Sequence, residues 1–161
     1  VGRGNRTGMS SNPSKIIRAE DYRWESVPLR EYKTEGTHFK DITRQTLLGE
    51  GEGEEALNFI TRYFEIQPGG YSTLERHQHV HAVIIIRGRG EVILEDRVEP
   101  VELHDCVYIA PDTFHQFHAL GDEPLGFLCI VDRQRDRPQL PEADDLNRLL
   151  ANAEVARRLK T

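Results

Sequence analysis

Apolar residues fall into short runs from residue 37 onward, separated by glycine, proline and aspartate. The runs are rich in Val, Ile, Phe and Tyr and nearly evenly spaced, which is typical of antiparallel strands in a sandwich or a barrel. We therefore predict an all-β fold, although this pattern alone does not choose between the two architectures. The predicted strands are HFKDITRQTLLG, LNFITRYFEI (ended by PGG), YSTLERH, HAVIIIRG, GEVILE, VEPVEL, CVYIA, FHQFHAL and LGFLCIVD.

The C-terminal stretch PEADDLNRLLANAEVARRLK differs, because its apolar residues lie mostly at helical spacing. Its acidic residues come first and its basic residues last, as the helix dipole favours. We predict one helix or two short ones, packed on the barrel exterior or on a partner subunit. The predicted organisation is a single domain: a disordered tail or vector-derived remnant at 1–14, a barrel at 15–136, and a linker with the C-terminal helix at 137–161.

The composition of the chain excludes several classes of function. The chain is 37% hydrophobic and 30% charged with a formal net charge of −6, and its basic residues form no stripe, so we expect no nucleic-acid partner. The longest apolar run, Ala82 to Ile86, is too short to cross a membrane, and the N-terminal stretch lacks the apolar core of a signal peptide. Two cysteines without framework spacing indicate a reduced, cytoplasmic protein.

The stretch ERHQHVH carries four metal-ligand residue types at alternate positions, Glu75, His77, His79 and His81. In a straight strand all four would face one side, but Glu75 and His81 would lie roughly 20 Å apart at about 3.3 Å per residue. The ligands of one ion sit only about 2 Å from it. Either adjacent pairs alone bind a metal, or the chain bends within this stretch.

Two glycines frame the same stretch, one six residues before Glu75 and one seven residues after His81, giving G-x5-E-x-H-x3-H-x6-G. This resembles the first motif of the cupin superfamily, G-x5-H-x-H-x3/4-E-x6-G, with the first His and the Glu exchanged. A register that pairs His77 with His79 lacks the required glycine and acid. The resemblance implies a bend at 78–80, metal ligands at Glu75, His77 and His81, and a small jelly-roll β-barrel with the metal in its open mouth.

A second, looser match supplies one more ligand. The stretch HDCVYIAPDTFHQFHA resembles the second cupin motif, G-x5-P-x-G-x2-H-x3-N, and places His115 at its ligand position, although it departs at turn-forming residues. By this resemblance one carboxylate and three imidazoles bind one divalent transition metal, Mn²⁺ or Fe²⁺ first, with Ni²⁺ or Zn²⁺ as alternatives. In octahedral coordination two positions stay open for substrate or water. A metal-free barrel whose histidines are satisfied by hydrogen bonds is the alternative.

Two further histidines lie close to these motifs. We interpret His79 as a residue of the turn or a support for the ligands, rather than a ligand. His118 has the opposite strand parity to His115, so we expect it on the surface and not as a fifth ligand.

The last predicted strand, LGFLCIVD, is apolar on both faces, so alternation does not show which face looks into the barrel. In small metal-binding cupins the residue fourteen after the last ligand histidine tends to face the metal, and here it is Cys129. The resemblance implies a pocket lined by Cys129 and Phe127, and we predict Val83 and Phe117 as further pocket residues. A thiol beside a cation is a candidate catalytic nucleophile, whereas a small packed hydrophobe is the alternative. We expect Cys106 to pack in the core.

The resemblance is compatible with three functions. The first is a metal-dependent enzyme that enolises a small oxygenated substrate, with Glu75 moving protons and Cys129 accepting a group. One cupin activity of this kind removes a methylthio group from a pentulose phosphate. The second is an Fe²⁺ dioxygenase, and the third is a non-catalytic protein that binds a small ligand.

Substrate charge and assembly are less defined by the sequence. Cupins commonly dimerise through N-terminal strands, and residues 15–48 are long enough for this, so the resemblance implies a homodimer. A phosphate or carboxylate on a small-molecule substrate would need a fixed cation. The available arginines are Arg44, Arg62, Arg133, Arg135 and Arg137.

Overall fold

The computed structural model describes residues 14–33 and 38–161, so the predicted tail lies almost wholly outside the described residues. The helices are α1 (Ala143–Leu150) and α2 (Ala153–Arg158). The strands are β1 (Ala19–Glu20), β2 (Arg23–Trp24), β3 (Arg30–Glu31), β4 (Lys40–Leu48), β5 (Phe59–Tyr71), β6 (His81–Arg87), β7 (Arg89–Leu94), β8 (Arg97–Val101), β9 (Cys106–Ile109), β10 (His115–Leu120) and β11 (Leu125–Asp132).

Strands β3 to β11 form one curled antiparallel sheet around the long strand β5. β5 pairs with β4 on one side and with β11 on the other, and its C-terminal end also pairs with β10. The sheet continues from β11 to β6 and β9, and from β10 to β7 and β8. The predicted all-β jelly-roll fold with a C-terminal helical segment is confirmed.

The glycines of PGG do not end a strand as predicted, because β5 continues through them as a bulge where its register against β4 shifts. Gly69 has φ +78°, and a Cβ on Gly70 would lie 2.6 Å from the Lys40 carbonyl oxygen. Both positions therefore require glycine. The following predicted strand, YSTLERH, is extended chain with isolated bridges at Glu75 and Arg76.

Alternate residues of β5, β6, β10 and β11 face the barrel interior and build the main apolar core. Val83 and Ile85 of β6 are fully buried, while their neighbours on the other face are half-buried. Phe117 of β10 stacks on Phe127 of β11 with ring centroids 4.7 Å apart, and Phe64 of β5 adds a third ring at 5.6 Å from Phe127. This packed aromatic cluster holds in place the strands that carry the candidate ligand residues.

The two short helices pack on the barrel exterior, which is one of the two predicted placements. Leu149 of α1 and Val155 of α2 are buried against Leu74, Ile93 and Phe114 in a second apolar cluster. No helix within residues 14–33 and 38–161 is long and apolar enough to cross a membrane.

Two outward-facing residues differ from their predictions. His118 was expected on the surface but is only 7% exposed, because Lys160 of the C-terminal segment covers this face of β10 and exchanges hydrogen bonds with Gln116. Cys106 was expected in the core but is exposed at the start of β9, because alternation turns Val107 inward instead.

The helix packing gives a matched pair of stability predictions at adjacent positions. Leu149→Ala is expected to lower the free energy of unfolding by about 2–5 kcal/mol, because it opens a cavity beneath α1. Leu150→Ala, at a side chain 46% exposed, is expected to change it by less than about 0.5 kcal/mol. Urea denaturation measures both; equal losses would contradict this packing.

Candidate metal centre

The stretch ERHQHVH bends at Gln78 and His79, and β6 begins at His81. Before the bend, Glu75 forms an antiparallel bridge with His115, the His115 amide donating to the Glu75 carbonyl oxygen at 3.0 Å. This bridge joins the first stretch to the start of β10. Residues forty positions apart in sequence therefore meet at the mouth of the barrel.

Three histidines converge there. His77, His81 and His115 are buried, and each offers a ligand atom within 4.8 Å of the others. The rings of His77 and His81 have centroids 4.3 Å apart, and His115 lies 4.9 Å from His77 and 5.5 Å from His81. This arrangement is small enough for all three imidazoles to ligate one ion.

Hydrogen bonds at one ring nitrogen free the other for a metal. His77 Nδ1 lies 2.6 Å from the His79 carbonyl oxygen, and His115 Nδ1 lies 2.9 Å from the Thr113 carbonyl oxygen. A carbonyl only accepts, so each Nδ1 carries the proton and each Nε2 keeps its lone pair. His77 Nε2 is buried without a hydrogen-bond partner among the residues that the structure describes. These residues fit a divalent transition metal, which would supply the missing partner.

Electrostatics keep these rings neutral. Burial, followed by the charges of His115 and His79, lowers the pKa of His77 to about 4. Burial also lowers the pKa of His81 and of His115. Neutral imidazole is the form that binds a metal, so these three imidazoles would need no deprotonation to bind one at neutral pH.

Glu75, predicted as the carboxylate ligand, lines the same pocket but its carboxylate contacts another group. The Lys33 ammonium donates to Glu75 Oε2 in a close ion pair. Lys33 comes from the chain just after β3. The pair places one acidic and one basic group beside the three histidines, and the role of Glu75 as a fourth ligand stays a proposal.

His79 lies in the bend, and its ring turns toward the cluster. The ring stacks on His77 with centroids 3.8 Å apart, and its Nε2 lies 3.2 Å from His81 Nε2. His79 Nδ1 is 2.7 Å from Asp136 Oδ1, and the same carboxylate accepts from the amides of Gln78 and His79 at 2.8 and 3.0 Å. Asp136 therefore fixes both the bend and the ring of His79.

Removing this carboxylate is expected to weaken metal binding. In Asp136→Asn the bend loses its charged acceptor, so the dissociation constant for Mn²⁺ should rise about 10–100-fold, as for other groups that orient metal-ligating histidines. Isothermal titration calorimetry measures it, with Asp144→Asn on the exposed first turn of α1 as the matched control. Unchanged Mn²⁺ affinity in Asp136→Asn would show that the bend keeps its conformation without the Asp136 carboxylate.

Cys129 lies on the inner face of β11 and is 2% exposed. Its Sγ is 3.6 Å from His81 Nδ1 and 3.4 Å from Arg62 Nη2. Burial raises the pKa of the Cys129 thiol, and the nearby Arg62 guanidinium acts against this rise. The thiol thus sits beside the histidine cluster with two N–H groups within reach of its sulfur.

The histidine cluster and the thiol share one cavity of about 230 Å³ at the barrel mouth. Its wall includes Phe127, Val83 and Phe117. Of the five arginines considered from sequence, Arg44, Arg62 and Arg135 line it. Arg133 instead donates to the carbonyl oxygens of Glu54 and Leu57, and Arg137 is not part of the wall.

Several residues of this wall were not predicted from the sequence, among them the polar residues Tyr32, Lys33 and Asp136, which flank the strands. All three come from segments that flank the barrel strands and carry no apolar period, so no sequence signal marks them. For Arg62 a signal existed, because alternation along β5 places it on the same face as the buried residues Ile60 and Phe64.

Comparison with known proteins supports the same architecture. The model of the cupin domain family matches residues 62–131. A Rhodospirillum rubrum protein named 1-methylthio-D-xylulose 5-phosphate methylsulfurylase is 49% identical over 136 residues, covering 84% of this chain and 85% of that protein. The crystal structure of a cupin 2 conserved barrel domain protein from Rhodopseudomonas palustris has a TM-score of 0.82 and 43% identity, covering 92% of this chain and 100% of that one. A cupin 2 domain-containing protein from Halorhodospira halophila has a TM-score of 0.72 and 55% identity, with 91% and 96% covered. The chain belongs to the cupin superfamily.

Proposed function

We propose that this protein is a metal-dependent enzyme that removes the methylthio group from a pentulose phosphate, with Cys129 as the acceptor of the sulfur. The observation that carries the proposal is the position of the Cys129 thiol, 3.6 Å from a histidine of the three-histidine cluster. The name of the Rhodospirillum rubrum relative supports this substrate class.

The metal would be held by His77, His81 and His115, with Glu75 as the fourth ligand. Three nitrogens and one oxygen suit Mn²⁺ or Fe²⁺, and also Ni²⁺ or Zn²⁺. When bound, such an ion supplies Lewis-acid stabilisation of negative charge on a substrate carbonyl or enolate oxygen.

Two N–H donors near Cys129 favour its thiolate, which is the attacking form. His81 turns Nε2 toward the cluster and Nδ1 toward Cys129, so a neutral ring with its proton on Nδ1 donates to the sulfur. Arg62 Nη2 donates from another side. Both donors favour the thiolate over the thiol, and the Arg62 guanidinium acts against the burial that on balance raises the pKa of Cys129.

The transfer step balances without an external oxidant. The Cys129 thiolate attacks the methylthio sulfur, a sulfur–sulfur bond forms, and the bond between this sulfur and the terminal sugar carbon breaks. The electron pair of that bond passes to the sugar, whose terminal carbon then takes a proton and becomes a methyl group. The carbon is reduced and the cysteine is oxidised to a mixed disulfide, which a second, low-molecular-weight thiol must reduce.

We assign the required proton transfers to Glu75 and Lys33. Their ion pair lines the same cavity as Cys129. A carboxylate beside a substrate carbon can exchange protons with it, and the adjacent ammonium supplies a donor to a substrate oxygen. The cavity of about 230 Å³ has room for a molecule of about sugar size.

An anaerobic assay tests this function directly. Metal-loaded protein is incubated with 1-methylthio-D-xylulose 5-phosphate and a thiol such as dithiothreitol, and the sugar product is followed by ³¹P and ¹H NMR. We expect a deoxypentulose phosphate with a new methyl signal in the absence of O₂. A product that forms only with iron and O₂ would favour the dioxygenase, and no turnover with any loaded metal would favour a ligand-binding barrel.

The homodimer and the cytoplasmic location stay predictions.

A further inference from the structure

The cavity at the barrel mouth is basic, although the whole chain has a net charge of −6. Its wall carries four cationic and two anionic side chains alongside the histidines. The cations are Lys33, Arg44, Arg62 and Arg135, and the anions are Glu75 and Asp136. An excess of positive charge in a concave site attracts an anionic ligand.

Both carboxylates already have partners, so they do not neutralise the arginines. Glu75 pairs with Lys33, and Asp136 binds His79 and the bend. Arg135 has an ion pair with Glu50 at 3.9 Å, at the outer limit of such contacts. Within residues 14–33 and 38–161, Arg44 and Arg62 have no carboxylate partner, and Arg135 has only this long contact.

Two of these guanidinium groups also hold buried donors without acceptors. Arg44 Nε and Arg62 Nε are both buried and have no hydrogen-bond partner within residues 14–33 and 38–161. A buried N–H of a charged group without an acceptor is costly, and a bound anion removes that cost.

The sheet brings the arginines together. Arg44 on β4 is paired with Phe64 of β5, and Arg62 on β5 is paired with Thr46 of β4, so the two arginines are diagonal neighbours across this strand pair. Arg135 follows β11 at the rim. Burial lowers the pKa of Arg135, with the charges of Arg62 and Arg44 adding to the effect.

We propose that Arg44, Arg62 and Arg135 form the binding site for the phosphate monoester of the substrate. Three guanidinium groups offer more charge and more paired N–H donors than a single carboxylate needs, and their planar forks match phosphate oxygens. This inference rests on the proposed function for the identity of the sugar. The anion site itself rests only on the arginines.

The same arrangement orients the substrate. Arg62 Nη2 lies 3.4 Å from Cys129 Sγ, and His81 of the histidine cluster lies 3.6 Å from the same sulfur. A phosphate held at Arg44 and Arg135 keeps the far end of the sugar at the rim, and the methylthio end then reaches the thiol. An unphosphorylated sugar lacks this anchor.

Calorimetry on the full chain, stripped of metal with EDTA, tests the anion site independently of catalysis. We expect inorganic phosphate and D-xylulose 5-phosphate to bind and D-xylulose to bind at least about tenfold more weakly. Arg44→Gln and Arg135→Gln should each weaken binding of both phosphates by about tenfold or more. Arg97→Gln, at an exposed arginine on β8, is the matched control and should not. Arg44→Lys keeps the positive charge but loses the paired N–H donors of the guanidinium group. Its affinity for phosphate should therefore lie between those of wild type and Arg44→Gln.

The metal content of the same variants, measured after reloading with Mn²⁺, shows that they are folded and separates the two proposals. Variants that retain metal but lose phosphate confirm the anion site. Wild type that retains metal but does not bind inorganic phosphate, or arginine variants that bind both phosphates like wild type, would overturn it while leaving the proposed function standing. Phosphate binding to a wild-type protein that takes up no metal would overturn the proposed function and keep the anion site.

Discussion

Replacing Cys129 with serine is expected to lower turnover of the methylthio pentulose phosphate by at least about 10³-fold, because the attacking sulfur is removed. Serine has nearly the same size, and its hydroxyl does not form a stable bond to sulfur. The side chain is 2% exposed and is not one of the proposed metal ligands, so metal content should stay at the wild-type level. Steady-state kinetics and elemental analysis of the same preparation measure the two quantities.

Cys106→Ser is the matched control, because Cys106 is exposed at the start of β9 and lies outside the cavity wall. It should leave turnover within about twofold of wild type. If Cys129→Ser retained turnover, the sulfur would need another acceptor, and the proposed chemistry would fail even with the metal in place.

Replacing His77 with asparagine is expected to abolish metal binding and, with it, turnover. His77 is the central ring of the cluster, and its Nε2 is the buried atom without a hydrogen-bond partner among the described residues. Losing one of a few ligands reduces the affinity by orders of magnitude. Elemental analysis after reloading with Mn²⁺ should fall from about one ion per chain to background.

His104→Asn provides the comparison, since His104 is exposed and has φ +75°, a conformation that asparagine tolerates. It should keep wild-type metal content. Full metal content in His77→Asn would mean that the ion binds elsewhere, and the assignment of the cluster would be wrong.

The fold was predictable from two independent signals. The period of the apolar runs identified antiparallel strands, and the glycine spacing around Glu75 and His81 identified the barrel type through its family motif. The PGG stretch was misread because a bulge and a turn require the same backbone freedom, so Gly69 and Gly70 fit both. Only the pairing of β5 with β4 distinguishes them.

The alternation of side chains along a strand predicted the direction of a side chain correctly, but it did not predict whether another segment packs over that side chain. His118 does face away from His115, but the C-terminal segment buries it, and strand periodicity carries no information on such packing. Cys106 follows the alternation of side chains along CVYIA. It faces outward with Tyr108, while Val107 and Ile109 are buried.

The site was predictable where the chain carries a motif and unpredictable elsewhere. His77, His81 and His115 sit at motif positions, and the structure brings them together. Lys33 and Asp136 enter the cavity from irregular segments on either side of the barrel strands. Their positions depend on tertiary packing, so neither spacing nor periodicity could have shown that one would contact Glu75 and the other His79.

The most direct measurement is the mass of the protein after a single turnover without external thiol. Metal-loaded protein is mixed with one equivalent of 1-methylthio-D-xylulose 5-phosphate, quenched in acid, and analysed as intact protein and as peptides. The account predicts one added methylthio group, removed by dithiothreitol, on the peptide that contains Cys129. Formation of the sugar product with Cys129 unmodified would contradict it.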